Sequence, residues 1–173
     1  MNATLTLLLG LLLLLLVGCR SIDTTADLAP VKDFSLEKYL GTWHEIIRLP
    51  HRFEKDLSNV KAEYTLREDG KIKVVNTGEK NGDPKSIVGI AKFKGAEDIG
   101  FLRVSFFRPF YGDYKIIDLE PDYSLAIVTS SSRKYLWVLA RQPAISDAQL
   151  AECLEKIRRW GFDVSKLQYP NRQ

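Results

Sequence analysis

Reactive chemistry could be sought in this chain in a few places: its two histidines, its two cysteines, and the run His44-Glu45-Ile46-Ile47-Arg48. The zinc-protease helix motif needs a second histidine at the fifth position, one helical turn from the first, with glutamate as the base. Here that position holds Arg48, and the run reads as a strand, so the spacing fails. With His44 and His51 alone, a multi-histidine metal site cannot be assembled. A haem on one histidine is the weaker alternative; no metal ligand and no cofactor is assigned. There is no Gly-x-Ser-x-Gly elbow and no phosphate loop, so no catalytic residue is assigned and the chain reads as a non-enzyme. A noncovalent pair is more informative. Gly41-Thr42-Trp43 heads one strand-like run and Arg141 ends another. A guanidinium stacked on that indole is a cation–π contact. If the two meet, the strands between them form one closed sheet, able to hold a small molecule.

Cys19 carries a different chemistry. Leu5 to Val17 is almost all leucine, a length that suits a signal-peptide core and is short for a bilayer span. It ends in Leu16-Val17-Gly18-Cys19, which resembles the lipobox of bacterial lipoproteins, where cleavage before the cysteine leaves a thiol carrying a diacylglyceryl group. Residues 1–18 are therefore expected to be a lipoprotein signal peptide, 19–31 a lipidated tether, and 32–173 one barrel domain. Removing 18 of the 173 residues leaves 155, enough for a single core. With Cys19 acylated, Cys153 stands alone and no intrachain disulfide can form. The formal net charge of +3 is too mild, and too unpatterned, for nucleic acid.

The elements that must position these residues follow from periodicity. Val60, Ala62, Tyr64 and Leu66 alternate with Lys61, Glu63, Thr65 and Arg67, the period of a half-buried strand. Glu68-Asp69-Gly70-Lys71 and Asn81-Gly82-Asp83-Pro84 are hairpin turns. Eight such runs between Thr42 and Arg141 predict an all-β fold: an eight-stranded antiparallel up-and-down barrel. The period then changes. Ser146 and Gln149 offer a capping box, Leu150, Cys153, Leu154 and Ile157 share a face, and Gly161 is a natural stop, so a helix over 146–160 should pack outside the barrel. Val164 to Tyr169 should be extended.

Loop alternation in a meander sorts the candidate residues. Gly41, Trp43, Asp122, Tyr123 and Arg141 fall at one end, with the acids Glu68, Asp69, Glu97, Asp98 and Glu120, and should close it structurally. The other end, with loops 49–59, 79–85, 108–113 and 130–134, should be the mouth. It holds Lys55, Lys80, Lys134 and, as candidates for an anionic head group, Arg52, Lys85, Arg108 and Arg133. Strand parity turns Ala62, Tyr64, Val74, Gly89, Ala91, Val104, Phe106, Tyr114, Ile116, Tyr135, Trp137 and Leu139 toward the lumen. The small residues leave volume and the aromatics line it, which suits a lipid tail.

The chain resembles the lipocalins, in particular their bacterial branch. Gly41-Thr42-Trp43 is similar to the family's first signature, Pro121-Asp122-Tyr123 to its second, with proline where threonine is usual, and Arg141 to its third. His51-Arg52-Phe53-Glu54 and the stretch Val104 to Gly112 resemble the bacterial members. The resemblance implies a fatty acid or lysophospholipid ligand. With the lipobox, it also implies anchorage through Cys19 on the periplasmic face of the outer membrane. An alternative stays open: a barrel filled by its own side chains, acting as an envelope scaffold for protein partners, including a second copy in a homodimer.

Overall fold

The structure, a computed structural model, describes residues 22–51 and 56–171. The expected signal peptide, Cys19 and Arg52 lie outside the described residues. Strands β1 (Gly41–Arg48), β2 (Ser58–Leu66), β3 (Ile72–Lys80), β4 (Asp83–Phe93), β5 (Phe101–Phe107), β6 (Phe110–Leu119), β7 (Leu125–Thr129) and β8 (Leu136–Ala140) follow in order. Each pairs with the next, and β8 returns to β1, so the antiparallel sheet closes into a barrel.

The alternation seen in β2 is real: Val60, Ala62 and Tyr64 are buried, and the residues between them exposed. In β7 all five residues are buried, because its outer face is covered as well. Two expected mouth loops prove shorter. Segments 79–85 and 108–113 are mostly strand, leaving the two-residue turns Asn81-Gly82 and Arg108-Pro109. Asn81 and Gly82 have φ of 53° and 84°, the left-handed pair that a tight hairpin turn requires, so the ladder runs on through Glu79–Pro84 and Lys80–Asp83.

Two cores share the wall. The inner one fills the barrel with Trp43, Tyr64, Ile72, Val74, Leu102, Ile116, Val128 and their neighbours. The outer one lies under helix α2 (Asp147–Arg159) and joins Ile46, Ile47, Ile127 and Val138 to Cys153 and Ile157. Ser146 and Gln149 form the expected capping box, and Gly161 takes φ of 77° just past the helix. Burial pushes the Cys153 thiol up to about 11, so it behaves as a small apolar side chain.

Two flanking segments depart from expectation. Residues 23–31, expected as a loose tether, are fastened to the outer wall. Thr24 N–H donates to the Ser131 carbonyl at 3.0 Å, and Thr25 Oγ1 to the Ser130 carbonyl at 2.7 Å. The cause is Lys115, a buried lysine on β6 whose Nζ donates to Thr25 O at 2.9 Å and Oγ1 at 3.0 Å and lies 3.5 Å from Asp23. An ammonium buried without such partners would cost several kcal/mol. The strap then passes Gly100 and Ile116, where Val31 bonds to both backbones, and enters the short helix α1 (Leu36–Tyr39), capped by Ser35. At the C-terminus, Val164–Lys166 is a 3-10 turn rather than extended. Gln168 beyond it exchanges two backbone hydrogen bonds with Arg48, beside the half of β1 that β2 has left.

Candidate functional site

The closed end is a plug of rings. Tyr39 packs on Trp43 with centroids 4.7 Å apart, and Phe34 approaches Tyr39 at 5.3 Å. The Arg141 guanidinium lies 4.0 Å from the Trp43 ring centroid. It donates to the carbonyls of Thr42 at 2.9 Å, Lys38 at 2.7 Å and Tyr123 at 3.3 Å. The planar fork thus ties α1, β1 and the β6–β7 turn to the end of β8. Tyr123, at φ of 58°, accepts at its hydroxyl from Ser35 N–H at 2.8 Å. Gly41 has φ of 92°, and a Cβ there would sit 3.5 Å from Arg141 Nη1. Asp122 is exposed and accepts from the Ser124 N–H at 3.0 Å. The structure brings all five closed-end residues together.

Above this floor, Ala62, Tyr64, Val74, Ala91, Val104, Phe106, Tyr114, Ile116, Trp137 and Leu139 face inward. Gly89 lies opposite Val74, and a Cβ on it would meet the Phe106 ring at 2.8 Å, so the missing side chain makes room for that aromatic. Tyr135 stacks on Trp137, centroids 6.0 Å apart and planes 17° apart, at the open end. His51 stands edge-on to Trp137 at 5.3 Å.

The sequence reading missed several lumen residues. Ile72 and Leu102 share the parity of Val74 and Val104 and could have been found. Ala126 and Val128 could not, since β7 is apolar on both faces. Phe34 and Tyr39 enter from outside the sheet. The polar lining was missed too. Glu45 pairs with Leu139 and Arg48 with Trp137, which turns both inward: Glu45 shares the parity of Trp43, and a bulge between Glu45 and Ile47 brings Arg48 onto the same face. Arg48 Nη1 meets Glu45 Oε1 at 2.9 Å, both side chains almost fully buried, and Nη2 donates to the Leu57 carbonyl at 3.0 Å. Three tyrosine hydroxyls converge beneath: Tyr114 lies 2.7 Å from Tyr39 and 2.9 Å from Tyr64. Asn76, opposite Ala62, has a buried Oδ1 with no partner among the described residues.

The run that resembled a metal motif separates. His44 pairs with Lys61 and Ala140 on the outer face, while Glu45 points inward. Burial, helped by Lys61, lowers the His44 pKa. The two side chains cannot share a ligand.

At the mouth, Arg108 is exposed at the tip of the β5–β6 hairpin and Lys85 is exposed on β4. Arg133 corrects the expectation of a free mouth cation. Its Nη2 pairs with Asp27, its Nε donates to the Trp160 carbonyl at 3.0 Å, and it lies 5.9 Å from the Phe162 ring. The strap and the end of α2 both lack a counter-charge or donor at this point, and Arg133 supplies them.

A closed eight-strand barrel, plugged at one end by Trp43 under Arg141, now has a family to be compared with. The lipocalin-like domain family matches residues 34–172. The chain belongs to the lipocalins. This lipocalin is 45% identical over 154 residues to the outer membrane lipoprotein Blc of Escherichia coli (strain K12), covering 88% of this chain and 87% of that one. It is 42% identical over 162 residues to outer membrane lipoprotein Blc of Vibrio cholerae, covering 92% and 94%. Temperature-induced lipocalin-1 of Arabidopsis thaliana is 35% identical over 150 residues, covering 82% and 81%. Among solved structures, insecticyanin from the tobacco hornworm superposes with a TM-score of 0.67 at 22% identity, over 85% of each chain. That likeness concerns the fold alone.

Proposed function

We propose that this lipocalin is a lipid-binding lipoprotein of the outer membrane, anchored by an acylated Cys19, that takes up the chain of a fatty acid or lysophospholipid. The supporting observation is a gradient of burial along the inner wall. Trp43, Ile72, Leu102 and Ile116 toward the floor are sealed, at 0–1% exposure, whereas Val104, Phe106 and Trp137 farther up keep solvent contact. Apolar side chains left wet on a concave wall are what a hydrocarbon tail would cover. Each buried CH2 contributes about 0.8 kcal/mol, so even a short cup supports useful affinity. The tyrosine hydroxyls, Asn76 and the Glu45–Arg48 pair give this wall a few polar points. Lys85 and Arg108, both exposed in the open-end half, are the cations this reading assigns to a carboxylate or phosphate head.

The relatives named as outer membrane lipoproteins support the location, and the Leu16-Val17-Gly18-Cys19 motif supports the anchor. The residues are those of a container, so its role is carriage or storage rather than turnover. Replacing Trp137→Arg puts an unpaired charge on the cup wall. Affinity for a fluorescent fatty acid should fall at least about tenfold, one charge–hydrocarbon clash exceeding 1.4 kcal/mol, with far-UV circular dichroism unchanged. Undiminished affinity in a folded variant would sink the lumen assignment.

A further inference from the structure

We infer that the open end of the barrel is a membrane-docking surface, so that the mouth of the cup is pressed against an anionic lipid bilayer. This rests on the lipidation of Cys19 proposed above, and adds an orientation that the motif alone does not supply.

The first observation is where the chain leaves the fold. Thr24 and Thr25 bond to Ser131 and Ser130, and Arg133 N–H donates to Thr24 Oγ1 at 2.9 Å. Those residues form the β7–β8 loop, which is at the open end, since β8 begins beside the end of β1 through the Arg48–Trp137 pair. Cys19 precedes Thr24 by five residues, a contour of at most about 17 Å. An acylated Cys19 therefore holds the rim, not the floor, next to the bilayer. The floor lies a full strand length farther away, at the Trp43 end.

The second observation is independent. Among the described residues six large apolar side chains are exposed: Ile22, Leu66, Ile87, Val88, Phe107 and Phe110. All but Leu66 belong to the open-end half: Ile22 on the exiting chain, Ile87 and Val88 on the part of β4 that overhangs β5, and the two phenylalanines flanking the Arg108-Pro109 turn. Phe107 and Phe110 pair across that turn and are 63% and 78% exposed. The hairpin and the exit are neighbours, because Ser131 Oγ donates to Asp113 on the same strand as Phe110, three residues away. Exposed apolar clusters of this kind call for a partner. Lys80, Lys85, Arg108 and Lys134 are exposed at this end, with Asp56 and Asp83 among them and Asp23 and Asp27 on the exiting chain, where Lys115 and Arg133 pair with them. Aromatic tips flanked by cations match the interface of an anionic membrane, where rings sit at head-group depth and guanidinium groups meet phosphate. A docked rim would let a lipid pass between bilayer and cup without crossing water.

The test uses the mature acylated protein in vesicles of phosphatidylethanolamine and phosphatidylglycerol with dibrominated acyl chains. Fluorescence of Phe110→Trp and Leu66→Trp is compared with the parent, whose Trp43, Trp137 and Trp160 set the baseline. Both changes are at exposed sites, and near-UV circular dichroism checks the fold. The added emission of Phe110→Trp should drop about two-fold, as for a ring several ångströms into the acyl boundary, with Leu66→Trp unaffected. Quenching at Leu66→Trp, or at neither site in protein whose mass carries the acyl groups, overturns the docking. Emission at position 110 that shifts with protein concentration but not with vesicles would overturn it in favour of a second copy on the rim. A mature mass without acyl groups would instead bring down the anchor, and the orientation with it.

Discussion

Tyr39, Tyr64 and Tyr114 show how single groups set the character of the barrel interior. Their hydroxyls satisfy one another at 2.7 and 2.9 Å, so three polar atoms inside an apolar barrel cost little. The same enclosure makes their ionisation costly. Burial, reinforced by the other tyrosines, raises the pKa of Tyr39 and Tyr114 well above the usual phenol value, here 10.0. The folded state thus binds these protons more tightly than the unfolded chain does. Stability from this source is complete below about pH 10 and is lost as pH climbs toward the folded-state values. The melting temperature should hold to about pH 9.5 and then fall, with tyrosinate absorbance rising only as the protein unfolds. Tyr114→Phe should flatten the alkaline fall. At neutral pH it should cost about 1 to 3 kcal/mol by denaturant titration, since Tyr39 and Tyr64 lose their common partner. A variant with the same alkaline slope as the parent would show that the triad does not govern it.

At the scale of elements, the strap of residues 23–31 matters most. Lys115 is buried on the outer wall, and its compensation comes from Thr25 and Asp23 on another segment. Deleting the strap through Ala26 should destabilise the barrel by about 3 to 5 kcal/mol, because an ammonium loses its acceptors. Adding Lys115→Met to that deletion should recover most of the loss, and the non-additivity of the two changes in a denaturation cycle measures the coupling. Equal losses with and without Lys115→Met would mean that the strap acts by packing alone. Legibility in the sequence divides along the same line. Strand number, hairpin turns, the capping box of α2 and the Trp43–Arg141 stack were readable, since each depends on a local pattern or on closure of the meander. The strap was not, because residues 23–31 have no period and their contacts are all with distant residues. Nor was Arg48 readable as a lumen residue, since one bulged residue in β1 reverses the faces, whereas Glu45 shares the parity of Trp43 and could have been found. Arg108 was found at the mouth because a turn tip is exposed by necessity. Arg133 was misjudged, because a loop position fixes an end of the barrel and not the direction of a long side chain.

In the whole molecule, the inner and outer cores are joined through β1, β7 and β8, whose alternate residues feed one and the other. A wall shared in this way should unfold as a unit. Strand β4 before Ile90 differs: it pairs with β3 alone and lies mostly exposed. Amides there should exchange by local opening, and those of β7 and β8 only by global unfolding. A fatty acid bound in the cup, at about one hundred times its dissociation constant, should add about 2.7 kcal/mol to global stability. Hydrogen exchange of Ile127 and Val138 should then slow by about a hundredfold, while residues 81–86 of the β3–β4 hairpin exchange at an unchanged rate. The contrast separates two places for the ligand. A lipid lying only on the rim would protect the hairpin and leave β7 and β8 untouched. A lipid inside the barrel would be coupled to β1, β7 and β8, because those strands carry both cores.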